Sequence, residues 1–210
     1  MHNRSFVSLL AYGVNDTAAF WAALQAMFAS LKDDTVVFFS DNLLTWGKAL
    51  HWKSDAALAR AAATHTTNLT ERSVVWRTAT LAWAVRHALK IEGDFAECGC
   101  YRGTTARILY DIANLSDSDR KFYLYDVFEG AEDVADHAMP AHGPDLAAEV
   151  RARFAGLDNV IITQGRVPES LAVASPERIA FLHIDMNSEE AEIGALEALF
   201  DRMSPGGVIV

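Results

Sequence analysis

The sequence predicts an α/β protein with a doubly wound parallel sheet, and three observations carry that prediction. From Asp94 onward, short apolar and β-branched runs alternate with amphipathic stretches of helical length. A glycine-rich turn, "CGCYRG", follows the first of those runs and leads into a helix. Polar residues able to meet a ligand stand just after the runs, where the carboxyl ends of parallel strands would bring them together.

The first part of the chain has a different rhythm, and residues 1–70 are expected to form a mainly helical extension or cap. "DTAAFWAALQAMFASLK" (Asp16 to Lys32) has an Asp start signal and apolar residues at helical spacing. "TVVFFS" (Thr35 to Ser40) reads as a strand or buried coil, and "DAALARAAA" as an alanine-rich helix. "THTTNLT" is a polar connection, or part of a lid, with Thr70 or Ser73 as a cap. "ERSVVWRTATLAWAVRHALK" then makes one helix with Val75, Ala82, Val85 and Leu89 on one face, ending before Gly93. Trp46, Trp52, Trp76 and Trp83 are expected to anchor helix packing rather than cage a ligand.

Residues 71–210 form the second unit. "DFAEC" is a strand, "TTARILYDIANL" a helix, "KFYLYDVF" a strand and "PDLAAEVRARFAGL" a helix. "NVIITQ" and "RIAFLHID" are strands, "EEAEIGALEALFDRM" a helix, and "GGVIV" begins another strand.

Bulk properties narrow the class of partner. The chain of 210 residues is 51% hydrophobic and 22% charged, enough apolar material for one core of ordinary size. A formal net charge of −10 argues against a nucleic-acid or anionic-membrane partner and favours a small molecule. Two cysteines do not make a disulfide framework, and no apolar run approaches the ~18 residues of a membrane helix. The N-terminus has no clean cleavage site for a signal peptide, so a cytoplasmic location is expected. Self-association is left open.

Four strand ends hold the candidate site. After "DFAEC", Gly99 permits a sharp turn and close ligand approach, while Gly103, Thr104 and Thr105 open a helix whose N–H groups suit an anion. Cys98 and Cys100 read as small residues beside that turn rather than as a metal or redox pair. Asp126, after the next strand, can accept hydrogen bonds from ribose hydroxyls. Gln164, Gly165 and Arg166 would flank an adenine edge. In "FLHIDMNSEE", alternation puts Phe181, His183 and Asp185 on one strand face. Asp185 is the candidate base or metal ligand, and His183 either a competing base or a buried, hydrogen-bonded histidine. Asn187, three residues before Glu190, is a helix cap or a substrate contact. His137 and His142 could line a substrate loop but are expected to be exposed.

Together, "EGDFAECGCYRGTTARIL", "YLYDVFEG", "GRVPESL" and "FLHIDMNSEEAEIGALEALFDRMSPGGVIV" resemble the class I S-adenosylmethionine-dependent methyltransferases, in the macrocin-O-methyltransferase-like branch. The resemblance covers roughly residues 70–210. It implies a Rossmann-like fold that binds S-adenosylmethionine across the first two strand ends. Glu97, Gly99 and the turn of Tyr101, Arg102, Gly103, Thr104 and Thr105 would hold the methionine part. Asp126 would take the ribose, with Val127 and Phe128 beside the adenine and Gln164 and Gly165 at the second edge. Asp185 would serve as ligand to a divalent metal such as Mg and as base in methyl transfer to a hydroxylated small molecule. The chain stops at Val210, before an acidic pair and two final antiparallel strands of that pattern. The C-terminal strands are therefore expected to be missing, and a metal at Asp185 to lack its other ligands. Two other classes compete: a non-catalytic cofactor-binding protein, and a nicotinamide-dependent dehydrogenase. Against the latter, Gly99-x-x-x-Gly103 lacks the third glycine and the spacing of a pyrophosphate-binding turn.

Overall fold

The structure, a computed structural model, describes residues 5–129 and 139–210. Strand β1 (Phe6–Val7) precedes helix α1 (Thr17–Ala29), which begins where the Asp16 carboxylate accepts the Ala19 N–H at 2.9 Å. Strands β2 (Val37–Ser40) and β3 (Leu43–Trp46) form a hairpin, and β1 pairs with β2 in parallel. The hairpin turn is Asp41-Asn42, both with positive φ (54° and 60°), the conformation that matches the twist of the flanking strands. The N-terminal part, expected to be mainly helical, therefore also contains a three-stranded sheet. β2 falls in the run "TVVFFS", read as a strand or buried coil, whereas β1 and β3, of two and four residues, are too short to display a two-residue hydrophobic period.

The Asp41 side chain is fully buried and accepts Arg77 through Nε at 2.5 Å and Nη2 at 2.6 Å. It also accepts the Trp76 indole N–H at 3.1 Å, so the hairpin is pinned to the helix that follows. That helix is not the single one expected from Glu71 onward. The chain makes α2 (Ala56–His65), a short α3 (Leu69–Ser73), then α4 (Val75–Ala88), with the break at Val74. At the break, the Ser73 carbonyl accepts the Ser40 hydroxyl at 2.7 Å, drawing it into a tertiary contact. Asn68 caps α3 through the Glu71 N–H, in place of Thr70 or Ser73. The buried side of α4 carries Leu81, Ala82, Ala84, Val85 and Ala88, whereas Leu89 is exposed. Trp83, expected to be a packing anchor, is 63% exposed and stacks on His87, and Trp46 is also exposed. Trp52 packs edge-on against Phe38.

The second unit follows the predicted alternation. Strand β4 (Asp94–Cys98), helix α5 (Thr104–Ile112), β5 (Phe122–Asp126), α6 (Leu146–Arg153) and β6 (Val160–Gln164) lead to β7 (Ile179–Ile184), α7 (Glu189–Leu199) and β8 (Met203–Ile209). The sheet order is β6-β5-β4-β7-β8, and every pairing is parallel. The chain winds outward from β4 to β6, then returns to the other side of β4 with β7. The order therefore reverses between β4 and β7, where such sheets open a crevice at their carboxyl ends.

Both faces of the sheet are covered. Phe95, Phe122 and Phe181 point to one face, in edge-on ring contacts at 6.0 and 5.5 Å, and pack with Val85, Leu109 and Val150 from the helices. Ala96, Tyr123 and Leu182 point to the other and pack with Ala195 and Leu199 of α7. Phe181 and Leu182 thus divide between the faces as alternation predicts. Leu58, Ala61 and Ala62 of α2 meet Ile108 of α5, joining the N-terminal unit to the sheet domain. No helix among the described residues is long and apolar enough to cross a membrane.

Candidate functional site

The turn after β4 is shaped by contacts that exclude side chains. Gly99 has φ 89°, and a Cβ built there would lie 2.1 Å from the Asp185 carbonyl oxygen. The ends of β4 and β7 therefore touch backbone to backbone, a proximity that only glycine allows. The N–H groups of Gly99 and Cys100 both turn to the Tyr125 carbonyl, at 2.8 and 3.2 Å. Gly103 caps α5 with φ 68°, and a Cβ there would meet the Phe154 ring at 2.8 Å. Between them Tyr101, not a glycine, takes φ 47°, a conformation that costs an ordinary residue about 1–2 kcal/mol.

The strain at Tyr101 is matched by a contact. Its N–H points at Asp126 Oδ2, 2.6 Å away. The other carboxylate oxygen, Oδ1, accepts the Phe128 N–H at 2.7 Å. A buried carboxylate held by two backbone donors at a strand's carboxyl end keeps its outer lone pairs for a ligand.

The cysteines in this turn are placed as small core residues. Both are free and buried. Burial, with Glu97 adding its charge, pushes the Cys98 thiol up to about 12, and burial raises Cys100 well above its ordinary value. Neither provides a thiolate near neutral pH. In a titration with 5,5′-dithiobis(2-nitrobenzoic acid) at pH 8, both thiols are expected to stay silent until denaturant is added. Fast reaction of either one in the native chain would refute this.

A cavity opens where the strands end, lined by Gly99, Tyr101, Asp126 and Val127 on one side and by Asp185 and Ser188 on the other. Gly165 and Arg166 close a third side. His142 also lines the cavity; it is not the exposed loop histidine expected, because only 10% of its side chain is accessible. His137 lies outside the described residues. Asp185 is exposed at the cavity edge, its own N–H held by the Cys98 carbonyl at 2.9 Å. Asn187 also lines the cavity but does not cap α7; the Ser188 hydroxyl accepts the Ala191 N–H instead, at 3.4 Å.

Residues 75–210, from α4 to the end of the chain, match the family described as macrocin-O-methyltransferase (TylF). The chain belongs to that family. It is 31% identical over 136 residues to an 8-demethyl-8-(2,3-dimethoxy-alpha-L-rhamnosyl)-tetracenomycin-C 4′-O-methyltransferase of Streptomyces olivaceus, a match covering 57% of this chain and 52% of that one. It is 29% identical over 150 residues to a mycinamicin III 3″-O-methyltransferase of Micromonospora griseorubida, covering 62% and 59%. The chain thus spans a little over half the length of these curated relatives. Among solved structures it resembles the O-methyltransferase NovP, with a TM-score of 0.54 and 23% identity over 63% of this chain and 62% of that one, a likeness of fold.

Several residues that the family resemblance pointed to stand away from the cavity in this macrocin-O-methyltransferase relative. Phe128, with φ 59°, turns its ring fully into the core and offers only its N–H to Asp126. Gln164 reaches the Glu129 carboxylate at 3.1 Å. Glu97 and His183 form a buried pair, Oε1 to Nδ1 at 2.7 Å. Burial pulls the His183 pKa down, but the Glu97 bond and charge, with Asp185 beyond, outweigh it and raise it overall. Neither residue lines the cavity, and Glu97 Oε2 makes no hydrogen bond among the described residues.

The first turn of α5, expected to receive an anion, meets one from the chain itself. Glu71 Oε1 accepts the Thr104 hydroxyl at 2.8 Å and lies 3.4 Å from Arg102 and 3.8 Å from Arg153. Its Oε2 accepts the Thr67 N–H and hydroxyl at 2.5 and 2.9 Å. Burial pushes the Glu71 carboxyl up, yet the bonds from Thr67 and Thr104 and the Arg153 charge bring it below its ordinary value. Arg102 also pairs with Glu149 at 3.2 Å. Arg102, Gly103, Thr104 and Thr105 thus shape the turn without lining the cavity. Glu71 was overlooked, although Asn68-x-x-Glu71 has the spacing of a capping box. No group of three or more His, Cys, Asp or Glu side chains among the described residues is arranged to hold a metal ion.

Proposed function

We propose that this chain binds S-adenosylmethionine and serves methyl transfer to a hydroxyl group of a small sugar-bearing molecule. The observation that carries this is Asp126, whose buried carboxylate is braced by the Tyr101 and Phe128 N–H groups and opens onto the cavity. Such a carboxylate suits a ribose diol, and the side-chain-free edge at Gly99 suits a ligand passing close to the backbone. The curated relatives are both named as O-methyltransferases, one of them acting on a rhamnosyl compound, which supports the acceptor class.

Bound S-adenosylmethionine supplies an electrophilic methyl group on a sulfonium. Asp126 and the Tyr101 turn hold the nucleoside end in one orientation, and positioning of this kind can account for ~7–11 kcal/mol of a barrier. Asp185, across the cavity and open to solvent, would take the proton of the acceptor hydroxyl on a carboxylate oxygen as the hydroxyl oxygen bonds to the methyl carbon and the carbon–sulfur bond breaks towards the departing thioether. His183 is bound to Glu97 and does not line the cavity, so of the two candidates on this strand Asp185 is the one placed to act as base.

Calorimetry with S-adenosylhomocysteine and with NAD tests the cofactor, and mass spectrometry of rhamnosylated acceptors tests the transfer. Binding of the first ligand and not the second is expected. Asp185→Asn should lower turnover by ~10²–10⁴-fold while leaving S-adenosylhomocysteine affinity within about twofold. Turnover unchanged in that variant would remove Asp185 as the base, and NAD binding would remove the methyl-donor reading.

A further inference from the structure

His142 combines three features that the methyl-transfer reading does not use. Its side chain is nine-tenths buried, it lines the cavity, and its Nε2 makes no hydrogen bond among the described residues. Its tautomer follows from its neighbour: the Met139 N–H donates to Nδ1 at 3.0 Å, so Nδ1 carries a lone pair and the proton sits on Nε2. That N–H stands 3.6 Å from Asp126 Oδ1, too far for a good hydrogen bond. A buried donor is thus held beside the acceptor that meets the ligand, without being satisfied by it. Leaving such a group unmet is unfavourable, which implies a ligand atom that completes it.

The segment is held in this place by contacts of its own. Tyr101, whose N–H braces Asp126, accepts the Ala141 N–H on its hydroxyl oxygen at 2.7 Å. Its ring meets the His142 ring edge-on at 5.3 Å, and the Gly143 N–H donates to the Phe128 carbonyl at 3.0 Å. The same turn that positions the carboxylate therefore also positions the imidazole.

We infer that His142 is the second ribose-recognition group of the site, donating from Nε2 to a ribose hydroxyl oxygen whose own proton goes to Asp126. The chemistry of a vicinal diol requires both kinds of partner. Its hydrogens need acceptors, which Asp126 supplies, and its oxygens retain lone pairs that a carboxylate cannot satisfy. One imidazole N–H next to one carboxylate matches a hydroxyl in both respects. It discriminates against ligands that lack the hydroxyl, since both buried groups would then be unpaired. The assignment rests on the S-adenosylmethionine reading above.

The test is a ligand-by-variant cycle on the 210-residue chain, read by calorimetry with S-adenosylhomocysteine and its 2′,3′-dideoxy analogue. His142→Ala is expected to weaken S-adenosylhomocysteine roughly tenfold and the analogue less than twofold, because only the first ligand has the hydroxyl to lose. His142→Gln, which restores an N–H at similar reach, should recover most of the loss. In the unaltered chain, the ¹⁵N signal of His142 Nε2 should shift with S-adenosylhomocysteine and not with the analogue, a readout independent of variant folding. Equal losses on both ligands, no loss on either, or an unmoved Nε2 signal would overturn the assignment alone. Failure of the unaltered chain to bind S-adenosylhomocysteine would overturn the cofactor reading, and this assignment with it.

Discussion

Replacing Asp126 with alanine is expected to weaken S-adenosylhomocysteine binding by ~10²–10⁴-fold, the largest loss from any single side chain in the cavity. Two charge-assisted hydrogen bonds to a ribose diol, at about 1.5–3 kcal/mol each, give that range. The variant also strands the Tyr101 and Phe128 N–H groups, which now share the carboxylate at 2.6 and 2.7 Å. Tyr101 would then keep its left-handed φ of 47° without the contact that offsets it, so the turn itself should loosen. Asp126→Asn should not rescue binding. Both carboxylate oxygens face backbone donors, and an amide must place its NH₂ against one of them. Calorimetry gives the affinity, and far-UV circular dichroism shows whether the sheet remains. Affinity within threefold of the original in either variant would refute the assignment of Asp126.

Gly99→Ala should produce the largest loss of stability in the sheet domain, about 2–5 kcal/mol. The added Cβ would stand 2.1 Å from the Asp185 carbonyl oxygen and 2.9 Å from Met186 Cγ. Overpacking alone typically costs about 1–3 kcal/mol, and here the nearest atom is backbone, which cannot rotate away. The φ of 89° adds a conformational penalty of about 1–2 kcal/mol for any side chain. Gly156→Ala is the matched control. Its φ is 80°, but a Cβ there meets nothing within 4 Å, so only the conformational part should appear. Urea midpoints of the two variants separate steric from conformational effects. A Gly99→Ala midpoint equal to that of Gly156→Ala would show that β4 and β7 do not meet as described.

Most of the sheet domain could be read from local signals. β5 and β7 are short apolar runs followed by a carboxylate, so Asp126 and Asp185 are visible as strand ends from the sequence alone. The glycines of the turn were visible for the same reason. Residues whose role depends on tertiary closure were not. His142 belongs to the cavity through Tyr101, and Glu71 reaches the α5 turn from an earlier helix. Phe128 shows a third limit: one left-handed residue reverses the direction of a ring, and spacing carries no sign of it. A shift of a single residue likewise moved the α7 cap from Asn187 to Ser188.

The Glu71 contact has a consequence for building hybrids of this chain. Arg102 and Arg153 share one buried carboxylate, Glu71, which precedes the start of the family match at residue 75, and Arg102 has Glu149 as a second partner. Arg153 is itself held below its ordinary pKa by burial, with Arg102 pressing the same way. A hybrid joined at residue 74 would inherit both cations and the Thr104 hydroxyl with the exposed Glu149 but without the buried Glu71 they share. The edge of the family match is therefore a poor place to cut, and a workable splice must carry residues 67–73 along with the sheet.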